Sequence, residues 1–174
     1  MQRSLSISSL ILAIILLGTV QRASAAVTLI SFEATYDRDN EEVKISWLTG
    51  AEPNTASYFI VRSADRSVLE NAVAVDSLAM WPADTLPFIE DLEVDGVEMM
   101  QIPNRGTATT GAEYMAFDAG PADGFTENAT YHYLLVEREL SGRVVPLNNP
   151  TERVISIMIA DMQSHKVYVP LVTK

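Results

Sequence analysis

The chain has 174 residues, no cysteine and a formal net charge of −11. Without cysteine there is no thiol nucleophile, no cysteine zinc site and no cysteine for lipid attachment. The strong negative charge repels phosphate backbones and anionic lipid, so the sequence predicts no nucleic-acid partner.

The first 25 residues have the organisation of a signal peptide. Arg3 gives a positive start, Leu10–Leu17 is an apolar stretch too short for a bilayer span, and Ala23-Ser24-Ala25 fits the small-x-small rule for cleavage. An uncleaved N-terminal anchor is the alternative. Cleavage after Ala25 leaves about 149 residues, the usual size of one domain, with a charge of about −13 because Arg3 and Arg22 are lost. The sequence therefore predicts a secreted, extracellular or cell-surface protein that is not integral to the membrane after cleavage.

Three short apolar runs between residues 27 and 63 predict the opening strands of an antiparallel β-structure. The first run alternates with polar residues, which predicts one buried face. Its apolar members are Ile30, Phe32, Ala34 and Tyr36. The second run repeats this pattern at Val43, Ile45 and Trp47, whereas Tyr58–Val61 is apolar on both faces, as expected in the middle of a sheet.

The segment Ser67–Trp81 fits two structures. Ser67 and Glu70 have the spacing of a capping box, and apolar residues recur at helical intervals, which favours one or two helical turns. The same residues also fit a short strand around Val73–Val75.

The segment Phe88–Ile102 predicts a β-hairpin. Asp95-Gly96 lies between two alternating runs, and this dipeptide is favoured where both turn residues need a positive φ. Later strands are predicted at Tyr114–Phe117, Tyr131–Val136, Val144–Val145 and Val154–Ile159. Residues 161–174 are predicted to form a C-terminal tail or an edge strand.

About seven to nine short strands without a long amphipathic helix predict an all-β antiparallel sandwich over residues 26–160. Its second and third strands resemble the fibronectin type III-like, immunoglobulin-like domains of secreted bacterial surface proteins. The residues that carry this resemblance are Trp47, Glu52, Asn54, Tyr58, Ile60, Arg62 and Ser63.

The resemblance implies structural roles for Trp47, Tyr58 and Tyr131. Tyr131 would be the corner tyrosine, whose ring packs in the core and whose hydroxyl bonds back to the preceding turn. Residues 81–102 look like an insertion relative to this family, so we expect any function that is specific to this protein to lie there.

The sequence argues against an enzyme. His132 and His165 are the two histidines, and no Gly-x-Ser-x-Gly motif accompanies them. His132 lies within a predicted strand, where a cross-strand pair explains it. The crowded carboxylates of the hairpin resemble a glycosidase pair only loosely, because outward alternation on a two-stranded ribbon explains them equally. We predict no catalytic residue and no cofactor other than a possible calcium ion.

An oxygen-rich turn is the candidate calcium site. Its residues are Asp37, Asp39, Asn40 and Glu42, which offer the hard oxygen ligands that calcium prefers. The alternative is an acidic turn that is simply solvated. A second run, Asp91 to Gly96, begins like an EF-hand loop but has Ile102 at the position that requires an acid.

The inserted hairpin is the candidate ligand site. Trp81 and Phe88 flank it, and an exposed aromatic side chain can anchor a protein or stack on a sugar. With the carboxylates of Asp91, Glu93 and Asp95 they form a predicted surface for an extracellular protein or glycan. Trp81 covering the open end of the sandwich is the alternative.

These patterns predict a non-catalytic secreted or cell-surface module for binding, adhesion or scaffolding. The tail supplies an alternative, because Pro170 places Val167–Lys174 on an edge strand through which a structural subunit or homo-oligomer could assemble. A third hypothesis is an accessory or carbohydrate-binding domain of an extracellular hydrolase.

Overall fold

The computed structural model describes residues 27–74, 87–147 and 154–160. These ranges contain ten strands and one helix, which confirms the predicted all-β class. Their bounds are β1 Thr28–Asp37, β2 Glu42–Ala51, β3 Thr55–Ser63, α1 Arg66–Ala74, β4 Leu92–Val94, β5 Val97–Met99, β6 Ile102–Pro103, β7 Glu113–Asp118, β8 Thr130–Glu139, β9 Val144–Pro146 and β10 Val154–Met158. In the described part of the chain, no helix is both long and apolar enough to cross a membrane.

The strands form two antiparallel sheets. The first has the order β1-β2-β7-β4-β5, and the second has the order β10-β8-β3-β6, with β9 also paired to β8. Inward side chains of both sheets form the main core, in which the Trp47 ring stacks on Tyr114 at 4.9 Å. Tyr58, from the second sheet, lies edge-on to both rings, at 5.8 Å from Trp47 and 5.1 Å from Tyr114. These three aromatic rings join the two sheets.

Strand β1 departs from the predicted alternation at its start. Ile30 was expected to be buried, but 51% of it is exposed, and Leu29 is buried instead. The cause is a register shift between Leu29 and Ser31, which places one extra residue in β1 opposite β2. Such a bulge turns the side chains before it to the other face, so the prediction for Ile30 was wrong.

Strand β3 is covered on both faces, as its apolar run predicted. Phe59 and Val61 point away from the main core into a second cluster with Leu134 and Val136 of β8. Helix α1 covers this cluster with Leu69 and Ala72, both fully buried. The helical interpretation of this segment is therefore confirmed through Ala74.

The cap of α1 lies two residues before the predicted one. Asp65 Oδ1 accepts hydrogen bonds from the backbone N–H of Ser67 at 2.9 Å and from its hydroxyl at 2.8 Å. Glu70 binds Arg66 Nε at 2.6 Å rather than closing a capping box with Ser67. Asp65 is therefore the N-cap, and its side chain satisfies an N–H that the helix leaves free.

The predicted hairpin is formed by β4 and β5. Asp95 and Gly96 have φ values of 54° and 79°, so both turn residues adopt the positive φ that the dipeptide predicted. Strand β4 also pairs with β7, with Glu93 opposite Phe117. The segment expected to be an insertion therefore extends the first sheet, with Leu92 and Val94 buried in the core.

A buried glutamate fixes the loop between β6 and β7. Glu52 accepts hydrogen bonds from Thr49 Oγ1 at 2.6 Å, from Tyr114 Oη at 2.8 Å and from the Gly106 N–H at 2.8 Å. The loop lies so close that a Cβ on Gly111 would fall 1.7 Å from the Thr49 carbonyl oxygen. Glu52, which the resemblance included, thus holds the loop to the end of β2.

The opposite end of the sandwich contains Tyr131 and Asp118. The Tyr131 hydroxyl accepts a hydrogen bond from the Thr126 N–H at 3.1 Å, and its ring lies 5.0 Å from Phe125. Asp118 is fully buried and forms an ion pair with Arg62. It also accepts a hydrogen bond from Tyr133 Oη at 2.9 Å, so these polar contacts close this end.

Candidate functional site

The two sheets differ in what covers their outer faces. Helix α1 covers the outer face of the second sheet. No described element covers the outer face of the first sheet. We call its outward side chains the acidic face; cross-strand register and burial place there Ser31, Glu33, Thr35, Asp37, Glu42, Lys44, Ser46, Leu48, Glu93, Glu98, Glu113, Met115 and Phe117.

The charges of the acidic face are strongly unbalanced. Lys44 is the single base among its members, which otherwise carry the carboxylates of Glu33, Asp37, Glu42, Glu93, Glu98 and Glu113. Burial, followed by the charges of Asp37 and Glu93, raises the pKa of the Glu42 carboxyl. The register agrees with this, because Asp37 of β1 lies directly opposite Glu42 of β2.

Apolar side chains lie among these charges. Leu48 and Met115 are 38% and 39% exposed, and Phe117 is half-buried beside them. Ile30 adds a further exposed apolar group at the bulge, packed over Gly50. A shallow depression on the same face is lined by Ser31, Glu33, Ser46, Leu48 and Glu113. Exposed apolar groups with a charged rim are typical of contact surfaces.

The predicted ligand residues do not form one site. Phe88 is half-buried against Phe59, with 5.3 Å between the rings, and bridges Val61 of the second sheet. Glu93 lies on the acidic face of the first sheet, because the chain crosses between the sheets after Phe88. Asp95, in the hairpin turn, pairs with Arg105, and Asp91 is exposed just before β4. Trp81 lies outside the described residues.

The predicted calcium turn is held by its own hydrogen bonds. Asp37 Oδ1 accepts the Asp39 N–H at 2.9 Å, and Oδ2 accepts the Asn40 side-chain amide at 3.0 Å. These bonds lower the pKa of the Asp37 carboxyl. Among the described residues, no three acidic, histidine or cysteine side chains are arranged to hold a metal ion. The calcium hypothesis stays a prediction, which thermal melts with and without a chelator test, because a bound ion must raise the melting temperature.

His132 lies on the outer face of the second sheet beside the start of α1. Its Nδ1 is 2.7 Å from Ser156 Oγ, which also accepts a hydrogen bond from Arg66 Nη1 at 3.1 Å. Ser156 is the residue directly opposite His132 in β10. The sequence could predict a cross-strand partner, but the identity of that partner depends on the register.

Sequence reasoning missed the acidic face as a unit. Its members come from five strands, and only Glu93 belonged to the predicted ligand site. The alternation of Glu113, Met115 and Phe117 with the buried Tyr114 and Ala116 was a usable signal, since it predicts an outward row.

Comparison with protein-family models, curated proteins and solved structures found no match.

Proposed function

We propose that the protein is a non-catalytic binding module of the extracellular space or cell surface, with a fibronectin type III-like, immunoglobulin-like sandwich. The strand order supports this fold assignment. Strands β1-β2-β7-β4 and β3-β8-β10 correspond to the orders A-B-E-D and C-F-G of a seven-stranded immunoglobulin-like sandwich. The Tyr131 hydrogen bond to the turn before β8 agrees with a corner tyrosine.

The uncovered acidic face carries the functional proposal. A sheet that serves only as a frame can have a fully polar outer face, yet here Leu48 and Met115 stay exposed among carboxylates. Apolar groups in the centre with charges around them give a contact surface both affinity and orientation. We therefore propose that this face, rather than Phe88 and Trp81, is the main contact for a partner.

The negative charge of the acidic face favours a partner with a positively charged surface. A protein with a basic surface is attracted, whereas sulfated or uronic-acid glycans are repelled by the carboxylates. Of the two predicted partner classes, extracellular protein or glycan, the structure thus favours a basic protein. Adhesion or scaffolding would follow from holding such a protein outside the cell.

Binding to a panel of basic extracellular proteins and anionic glycans tests the proposal. We expect hits among the basic proteins, with a Kd that increases at least about tenfold in the double variant Leu48→Ser/Met115→Ser. Glu93→Lys should weaken the same hits, and salt should weaken them in the unmodified protein.

Matched controls separate the acidic face from general surface effects. Met158→Ser removes an apolar side chain that is 62% exposed on the second sheet, and Asp123→Lys reverses an exposed charge in a loop. Both should bind like the unmodified protein. Binding that persists in the acidic-face variants, or hits confined to sulfated glycans, would overturn the assignment.

A second candidate function is assembly through the C-terminal segment. Strand β10 is the last strand of the second sheet, so the chain continues from a sheet edge after residue 158. A following segment is well placed to pair with a neighbouring molecule. Light scattering on the secreted protein with and without Val167–Lys174 decides this: assembly requires an oligomer that becomes monomeric on truncation.

A further inference from the structure

The turn between β8 and β9 presents an exposed apolar side chain. Leu140 is 72% exposed, the highest value among the large apolar side chains of the described residues. It lies at the end of the sandwich where β3 begins, because its N–H donates a hydrogen bond to the Asn54 carbonyl oxygen at 2.8 Å. A single exposed leucine is common on protein surfaces, so the meaning of this one depends on its surroundings.

Hydrogen bonds hold this turn in one conformation. The Glu139 N–H donates to the Arg143 carbonyl oxygen at 2.8 Å, and the Gly142 N–H donates to the Glu139 carbonyl oxygen at 2.9 Å. The Ser141 hydroxyl donates to Glu139 Oε2 at 2.9 Å. Gly142 has a φ of 86°, which favours glycine. Leu140 therefore projects from a fixed turn, so little conformational entropy is lost when a partner contacts it.

The charges on either side of Leu140 are positive. The Arg138 side chain is exposed, and its Nη1 donates a hydrogen bond to the neutral side chain of Gln101 at 3.4 Å. Within the described residues, Arg138 has no carboxylate partner. Arg143 is exposed and lies 3.9 Å from the carboxylate of the buried Glu139. We call Arg138, Leu140 and Arg143 the basic tip.

The acidic face has the complementary arrangement. Its exposed apolar groups, Leu48 and Met115, lie among carboxylates, whereas the basic tip has one exposed apolar group between two guanidinium groups. The depression beside Leu48 has a volume of about 260 Å³, and Glu33 and Glu113 are among the residues that line it. A water molecule takes up about 30 Å³ in the liquid, so the depression has room for the four carbon atoms of a leucine side chain.

The two complementary surfaces lie on different sheets. The acidic face is the outer face of the first sheet and points away from the second, whose strands β8 and β9 carry the basic tip. The two surfaces of one molecule therefore do not meet, and each is available to another copy. A contact between different surfaces of identical chains is heterologous, and it leaves one surface of each kind free for further copies.

We propose that the acidic face binds the basic tip of a second copy of this chain. Leu140 enters the depression beside Leu48, and the guanidinium groups of Arg138 and Arg143 approach the carboxylates around it. This proposal rests on the acidic face being a contact surface and names its partner, because a chain that is acidic overall presents a basic surface at this turn. One turn supplies the contact, so we expect a weak interface that buries less than about 1,200 Å².

The net charge of the chain does not prevent this contact at physiological salt. A net charge of −11 repels a second copy at long range. At about 0.15 M salt, however, exposed charges more than about 8 Å apart are largely screened. The attraction between the basic tip and the acidic face acts at contact, so it is screened less than the repulsion between the rest of the two molecules.

Two variants, each lacking one side of the contact, test the proposal. The tip variant is Arg138→Ser/Leu140→Ser, and the face variant is the Leu48→Ser/Met115→Ser protein described above. Sedimentation equilibrium measures the mass of the secreted protein up to about 1 mM, which detects contacts with a Kd in the millimolar range. We expect the unmodified protein to form a series of oligomers that grows with concentration. Each variant alone should associate at least about tenfold more weakly.

A mixture of the two variants tests the head-to-tail arrangement. The tip variant keeps its acidic face and the face variant keeps its basic tip, so the mixture should form one-to-one dimers and nothing larger. Met158→Ser/Arg38→Ser is the matched control. It removes an exposed apolar side chain and an exposed arginine that lie outside both surfaces, and it should assemble like the unmodified protein.

The other outcomes overturn the proposal and separate its failure from that of the acidic face. Unmodified protein that stays monomeric at every concentration would exclude the second copy, whereas its binding to basic proteins would still support the acidic face. Assembly lost in the face variant but kept in the tip variant would mean that another surface of the second copy binds. Oligomers that persist in both variants and disappear without Val167–Lys174 would assign assembly to the C-terminal segment.

Discussion

Gly111 illustrates how a single residue fixes a loop. The loop between β6 and β7 crosses so near to β2 that a Cβ at Gly111 would meet the Thr49 carbonyl oxygen at 1.7 Å. Thr49 donates a hydrogen bond to Glu52, which also binds the Gly106 N–H. The sequence shows only a glycine in a polar loop, because the close approach depends on a strand sixty residues earlier.

Gly111→Ala should therefore be strongly destabilising. Backbone atoms cannot yield as a flexible side chain can, so we expect a loss of about 3 kcal/mol in the free energy of unfolding. Gly50→Ala is the control, because its Cβ would meet Ile30 at an ordinary 3.4 Å and should cost less than about 1 kcal/mol. Urea unfolding measures both; equal losses would contradict the assigned contact.

Helix α1 shows how an element depends on both local and distant residues. Its nine residues are too few for a stable isolated helix, so packing of Leu69 and Ala72 on the second sheet must supply most of its stability. Its start is local, because Asp65 accepts two hydrogen bonds from Ser67. These bonds lower the pKa of the Asp65 carboxyl.

Asp65→Ala should destabilise the protein, because the N–H of Ser67 loses its acceptor. Ser67→Ala keeps that acceptor and should cost roughly half as much or less. Chemical unfolding followed by circular dichroism compares the two variants. A larger loss from Ser67→Ala would instead support the capping box expected from the sequence.

Charge governs the molecule as a whole. The chain carries a net −11, and folding concentrates carboxylates on the acidic face and around Glu137. Burial, and after it the charge of Glu139, raises the pKa of the Glu137 carboxyl. A raised carboxyl pKa means that the folded state favours the protonated form, so the stability it contributes is complete below the unfolded pKa and is lost as pH rises.

We therefore predict a pH dependence that comes from Glu137. As pH rises above the ordinary pKa of a glutamate, about 4.3, the free energy of unfolding of the unmodified protein should fall relative to that of Glu137→Gln. The pKa values of Asp37 and Asp65 are lowered, so the stability that these two carboxyls contribute is lost as pH falls. Both proteins contain them, so this contribution cancels in the comparison. Urea unfolding across this range checks the prediction, and a difference independent of pH would contradict it.

Local patterns determined much of the fold. The alternation of β2, the apolar run of β3 and the Asp95-Gly96 turn depend on neighbours in the chain, so the sequence predicted them. Strand β1 kept its predicted pattern from Phe32 onward and departed from it at Ile30. The reason is that a bulge is set by pairing with β2, which alternation alone does not encode.

The candidate sites depend on distant pairing. Sequence alone established an acidic chain with carboxylates in its hairpin, and predicted a cleavage motif before Ala26. The tertiary structure decided that Glu93 joins Glu42 on one face, that Phe88 packs on the other sheet, and that Thr55 donates a hydrogen bond to Glu137. A contact between residues 55 and 137 arises only when β3 pairs with β8, because register and sheet order bring distant strands together.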